Sequence, residues 1–189
     1  MKHSAKHLFL SFLIFTTCSA IAFAVVKKSD SDFDPYKAPP FRLKSLEGET
    51  ISLESYKGNY VVIHFATTWC PFCNAEAPYL EKLHQDYSDK NVKVLIIDVK
   101  EPKKTVKKYL KDQFNLTFPI LLDPDGAVAA TYAPPGVLPD LARDDVVLAS
   151  NILIDPNGKM QFRSLLDTTN FDAKLVSLRA KLDELMAED

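Results

Sequence analysis

The clearest pattern in the chain is the run Tyr60 to Ala66, seven residues that are β-branched, aromatic or apolar on both alternating faces, apart from His64. A strand buried on two sides reads this way, so the run predicts a central sheet strand. From Pro71 to about Ser88 the period changes, with Ala75, Tyr79, Leu80, Leu83 and Tyr87 at helical spacing. Asn91 to Val99 predicts a second buried strand, Lys103 to Phe114 an amphipathic helix, and Phe118 to Leu122 a short strand. Ala127 to Tyr132 predicts a short helix after the Asp123-Pro124-Asp125-Gly126 turn. A proline-containing loop, Ala133 to Asp145, leads to a hairpin of Ser150 to Ile154 and Lys159 to Leu165 about Asp155-Pro156-Asn157-Gly158. Phe171, Leu175, Leu178, Leu182 and Leu185 mark the buried stripe of a C-terminal helix. Ahead of all this, Phe41 to Lys44 and Thr50 to Leu53 flank Leu46-Glu47-Gly48-Glu49 as an N-terminal β-hairpin. The order implies an α/β domain with a mixed central sheet and helices on both faces.

The first 24 residues follow a different pattern. Lys2, His3, Lys6 and His7 precede an apolar stretch from Leu8 that continues to Ala24, and Ala22-Phe23-Ala24 offers a small-x-small cleavage site. This predicts an export signal over 1–24. The alternatives are retention as a membrane anchor, since Leu8 to Val26 is just long enough to cross, and lipidation at Cys18. Residues 25–39 are polar, charged and proline-ended and predict a flexible linker, leaving 40–189 as the folded domain. A formal net charge of -2 with 25% charged residues excludes a strongly basic nucleic-acid binder. Lys103, Lys104, Lys107, Lys108 and Lys111 read as the solvated face of a helix.

Export changes the cysteine arithmetic. Loss of the signal removes Cys18 and leaves Cys70 and Cys73 of the three cysteines. A disulfide closing so short a loop removes little unfolded-state entropy, so redox chemistry is the better reason for the pair. The stretch Trp69-Cys70-Pro71-Phe72-Cys73 lies where a strand feeds a helix. Unpaired N–H groups and the helix dipole at that point stabilise a thiolate, which makes Cys70 the attacking thiol. Cys73, one turn deeper, is placed to resolve the mixed disulfide that Cys70 forms. Pro71 suits the first helical turn. Structural zinc would need further ligands, and His64 and His84 are the only histidines beyond the signal. No metal and no cofactor are expected.

The string Phe65-Ala66-Thr67-Thr68-Trp69-Cys70-Pro71-Phe72-Cys73-Asn74-Ala75-Glu76-Ala77-Pro78, with the later Asn151 to Lys159, resembles the thioredoxin superfamily, in particular the TlpA/ResA-like thiol:disulfide oxidoreductases. The resemblance covers about residues 40 to 187 and implies a thioredoxin-like fold. It implies that Glu76 tunes thiol acidity or shuttles a proton; without the family, Glu76 is an exposed carboxylate near a helix start. Both readings stand at this stage. Trp69, Pro71 and Phe72 are expected to tune the site or contact substrate.

Three departures from the family pattern stand out. His64 occupies the position where relatives carry aspartate or asparagine; it could accept the Cys73 proton, though a neutral core histidine bonded to a backbone carbonyl is the preferred reading. Ala149 stands where the family has a cis-proline; a non-proline cis bond costs roughly 2.5 to 4 kcal/mol, so the Leu148-Ala149 bond is expected trans, which alters the edge that pairs with substrate. The long loop Ala133 to Asp145 is either a partner-binding rim or a plain insertion. Against a peroxiredoxin-like peroxidase, favoured by Thr67 three residues before Cys70, stand Ile63 where that motif needs proline and the absence of a late arginine near Ala149. A copper-binding chaperone of thioredoxin fold would need a histidine downstream of His84. The expected function is therefore disulfide exchange with cysteine-containing exported clients, more in the manner of a reductant. A membrane thiol donor or acceptor would recharge the pair, and the N-terminus could act as a tether.

Overall fold

Every residue of the strand Tyr60–Ala66 (β4) is buried. It is covered on both faces and bonded on both edges, in parallel to Val92–Val99 (β5) and antiparallel to Ser150–Ile154 (β7). The computed structural model describes residues 35–188. Around β4 the other strands are Tyr36–Lys37 (β1), Arg42–Ser45 (β2), Thr50–Ser52 (β3), Ile120–Asp123 (β6) and Lys159–Ser164 (β8). Together they form one mixed sheet of 8 strands in the order β1-β8-β7-β4-β5-β6-β2-β3. The hairpin β2–β3 joins the sheet through β2 against β6.

Alternation along β4 splits the core in two. Val62 and Ala66 join residues of Pro71–Asp86 (α1), of Val176–Glu188 (α4), and Val106 and Leu110 on one face. Val61, Ile63 and Phe65 pack on the other face with Phe41, Ala129 and Tyr132, the last two from Ala127–Tyr132 (α3). Asp123 seeds α3 by accepting the N–H groups of Ala129 (2.8 Å) and Val128 (3.3 Å), satisfying donors that a helix start leaves unpaired. The helix expected over 103–114 begins as Lys103–Val106 (α2) but widens to a π-helical segment over Lys107–Asp112. Both registers keep Val106 and Leu110 inward. Lys103, Lys104, Lys107 and Lys108 lie at the surface, with Lys107 paired to Asp112 and Lys111 to Glu47.

Most strand limits shift from the sequence reading by one or two residues, and the larger differences lie at the two ends of the domain. The linker expected over 25–39 ends earlier, because Tyr36 and Lys37 pair with Met160 and Lys159 of β8 and Ala38 is buried. Its last residues thus gain sheet hydrogen bonds and burial that their polar, proline-ended composition did not announce. The signal expected over 1–24 and the linker up to 34 lie outside the described residues. Phe171 precedes α4 rather than joining it, packing edge-on against Phe72 at 4.9 Å between ring centroids. Among the described residues no helix is long and apolar enough to cross a membrane.

The docked strap is held from beneath by Tyr132, whose fully buried hydroxyl donates to the Pro39 carbonyl at 2.7 Å. Tyr132→Phe leaves that carbonyl without its partner and is expected to lower unfolding stability by about 1 kcal/mol in urea titrations.

Candidate active site

At the end of β4 the chain turns through Thr67-Thr68-Trp69 into α1, with Cys70 as its N-cap and Pro71 as the first helical residue. Glu101 and Asn74 staple this turn. The Glu101 carboxylate accepts from the Thr68 N–H and hydroxyl, and the Asn74 amide donates to the Thr68 carbonyl at 2.9 Å. The Cys70 N–H donates to the Thr67 carbonyl at 3.2 Å.

Capping fixes the inequality of the two thiols. Cys70 Sγ accepts the Cys73 N–H at 3.3 Å. Hydrogen bonding from the Cys73 thiol, with the N–H groups of Cys73 and Phe72, draws the Cys70 pKa down to about 6 against the opposing effect of burial. The same bond, burial and the nearby Cys70 charge push the Cys73 thiol well above the usual range. Cys73 is 1% exposed and its Sγ lies 3.9 Å from the Phe65 carbonyl oxygen. Both cysteines are unbridged. At neutral pH the site therefore holds one nucleophilic thiolate and one thiol kept in reserve.

Beneath the thiols lies a buried polar cluster formed by α1, β4 and β7. Glu76 is 3% exposed, which corrects the reading of an exposed helix carboxylate. Its Oε1 accepts from Asn151 Nδ2 at 3.0 Å, and its Oε2 lies 3.2 Å from His64 Nδ1. His64 Nδ1 also lies 3.0 Å from Asn151 Oδ1, directly across the β4–β7 pairing. The expected backbone carbonyl partner of His64 is thus replaced by two side chains, because Asn151 and Glu76 both project into the same layer. Burial pulls the His64 pKa down to about 4, leaving the ring neutral. Burial pushes Glu76 up to about 8, opposed by the Asn151 bond and reinforced by Asp172 and Cys70.

Ala149 is buried with φ of +56°, in the left-handed region, and its N–H donates to the Phe65 carbonyl at 2.9 Å. Among the described residues there is no cis peptide bond. The loop before it is anchored at several points. Arg143 donates to the Pro134 and Val137 carbonyls, and Asp144 pairs with Lys100. Asp144 packs so closely on Gly126 that a Cβ there would fall 2.5 Å from its carboxylate. Trp69, 68% exposed, Cys70 and Phe72 border a groove whose far wall carries Leu138 and Leu141 of this loop. Thr67, which carried the peroxidase comparison, is buried, and no arginine lines the groove.

Sequence reasoning passed over Asn151, Glu101 and Asn74. The one signal for Asn151 was an amide in an otherwise apolar strand; nothing local marked Glu101 or Asn74, whose roles depend on the path of the turn.

A capped, acidic cysteine with a buried partner one turn on, at the junction of a central strand and a helix, places the chain among thioredoxin-fold thiol-disulfide oxidoreductases. Residues 36–163 match the AhpC/TSA family. The chain belongs to that family, in its TlpA/ResA-like branch. It is 32% identical over 157 residues to the thiol-disulfide oxidoreductase ResA of Bacillus thuringiensis subsp. konkukian, spanning 81% of this chain and 84% of that one. It is 39% identical over 124 residues to ResA of Geobacillus thermodenitrificans, spanning 66% of this chain and 64% of that one. A secreted Mycobacterium tuberculosis disulfide oxidoreductase has the same fold, with TM-score 0.60, 24% identity and coverage of 76% of this chain and 95% of that one.

Two titrations follow. Alkylation of Cys70 by iodoacetamide should rise with pH about a midpoint near 6 and then level, while Cys73 stays unreactive in Cys70→Ser; quenched mass spectrometry reads both. Glu76 binds its proton more tightly folded than unfolded. Its contribution to stability is full below about 4.5 and is lost as pH rises toward 8. Glu76→Gln should therefore flatten the fall in stability over that window, by at most about 1.4 kcal/mol per pH unit, in urea titrations at stepped pH.

Proposed function

We propose that this oxidoreductase is exported and exchanges disulfides with cysteines of other exported proteins, working chiefly as a reductant through Cys70 and Cys73. The observation that carries the reading is the inequality of the two thiols. A Cys70 pKa of about 6 lies nearer the value of about 7 in thioredoxin, a reductant, than the value of about 3.5 in the strong oxidant DsbA. The basic start and apolar stretch of residues 1–24 support export, either with cleavage or with retention as a tether.

In the reducing direction the Cys70 thiolate attacks one sulfur of a client disulfide, and the other client sulfur leaves as thiolate. Cys73 then gives up its proton and attacks Cys70 Sγ. The Cys70–Cys73 bond forms, the mixed disulfide breaks, and the second client sulfur departs. Two electrons pass from the dithiol to the client. The negative charge of Cys70 helps Glu76 keep its proton; loss of that charge in the mixed disulfide loosens the hold, and the carboxylate then formed accepts the Cys73 proton at the resolving step. Asn151 and His64 keep that carboxyl in place. An external dithiol of a membrane donor restores the reduced pair.

The test is the reduction potential of the full chain equilibrated in glutathione and dithiothreitol buffers, followed by the fluorescence of Trp69, the sole tryptophan, with Cys70→Ser as control. A potential near or below about -270 mV is expected; one near about -120 mV overturns the reducing direction. A pair that cannot be cycled overturns exchange itself.

A further inference from the structure

The backbone before β7 has no donors to offer between Leu148 and Ser150. The Leu148 N–H donates to the Asp145 carbonyl (3.2 Å), Ala149 to Phe65 (2.9 Å) and Ser150 to Val147 (2.9 Å). A client segment cannot add as a strand there by accepting hydrogen bonds from these groups, because each is already spent inside the protein. Backbone pairing next to Cys70 is thus limited to what its carbonyls can accept, and side chains carry more of the recognition.

The side chains present are apolar. A groove of about 540 Å3 opens beside Cys70 and is lined by Trp69, Phe72, Leu138, Leu141, Leu148 and Leu166. Three of its walls stand unusually far into solvent, with Trp69 68%, Leu138 51% and Leu141 47% exposed. Tyr36, Tyr109 and Val176 are exposed elsewhere, outside this groove; it is the clustering of three such residues here that marks a contact site. The two leucines belong to a loop that is held in shape from within, by Arg143 on the Pro134 and Val137 carbonyls and by Asp144 on Lys100. The wall is thus present before anything docks, which lowers the ordering cost of binding.

The charge of the groove is one-sided. Asp145 and Asp167 line it and no lysine or arginine does. Asp145 is exposed. The Asp167 carboxylate accepts from the N–H groups of Thr169 and Asn170 and from the Asn170 amide, bonds that favour its ionised form. Arg143, the cation of the loop, faces the carbonyls it binds.

We infer that this groove docks a client segment that carries a bulky apolar residue beside its reacting cysteine and a lysine or arginine close by. The apolar residue lies between Trp69 and the two loop leucines, and the cation meets Asp145 and Asp167. The inference rests on the exchange reading above for what the docked segment brings to Cys70, and it assigns Leu138 and Leu141 to client selection.

The test separates docking from chemistry. The full chain carrying Cys70→Ser and Cys73→Ser is titrated with three short peptides, followed by Trp69 fluorescence: one with leucines beside its cysteine and lysines outside them, one with glutamates for the lysines, and one with serines for the leucines. The first is expected to bind about 10-fold more tightly than either of the others, with its advantage over the glutamate peptide shrinking at high salt. Leu138→Ser with Leu141→Ser is expected to erase the preference for leucine over serine, with circular dichroism showing the variant folded; single Leu138→Gln and Leu141→Gln variants serve if the double one unfolds. Equal affinity for all three peptides, or a leucine preference that survives these substitutions, overturns the inference. A cysteine pair that fails to cycle while the peptide preference holds would sink the exchange reading and leave the docking site standing. A pair that cycles with no peptide preference would do the reverse.

Discussion

The arrangement depends on the way β4 is confined. It is paired to β5 and β7 and covered on both faces, so its end cannot shift without disturbing two strands and two apolar clusters. The turn that follows is then bound to Glu101 and Asn74, and α1 has one place to begin. The first residue available to cap that helix is Cys70. The thiolate character of this cysteine comes first from the Cys73 thiol that α1 sets one turn away, and then from N–H groups that any helix start leaves unpaired.

The same confinement explains the polar cluster below. A histidine in the middle of a fully buried strand must find partners inside the protein. Asn151, directly opposite on β7, and Glu76, arriving from α1, meet it in one layer. The three side chains share their hydrogen-bonding capacity. The result is a neutral imidazole next to a carboxyl that holds its proton near neutrality, so the layer supplies proton capacity without burying a net charge at pH 7.

Much of this was legible in the chain. β4, α3 and β7 have the same limits in the sequence reading and in the structure, because a strand buried on both faces leaves an uninterrupted apolar run and the short helix is bracketed by turn residues. The dithiol was legible because its spacing and its position before a helix are local. What escaped depends on contacts far apart in sequence. Asn151 is 87 residues from His64, and only strand pairing brings the two together. Glu101 is 33 residues from Thr68. The Tyr36–Lys37 strand was hidden because two residues are too few to display a period, and the edge of β8 supplies the reason for their order. The π-helical widening over Lys107–Asp112 has no counterpart in apolar spacing, since Val106 and Leu110 face inward in either register.

The place where the chain enters the domain has a further consequence. Tyr36 and Lys37 pair with the first residues of β8, and Ala38 bonds to Gly158, next to the turn that Gly58 also contacts just before β4 begins. Cys70 lies past the other end of β4, about 20 Å away along seven strand residues. The entry point and the reactive sulfur thus occupy opposite poles of the sheet. Whatever the chain carries ahead of residue 35 is attached at the pole remote from the sulfur, and the rim around Cys70 is built without it.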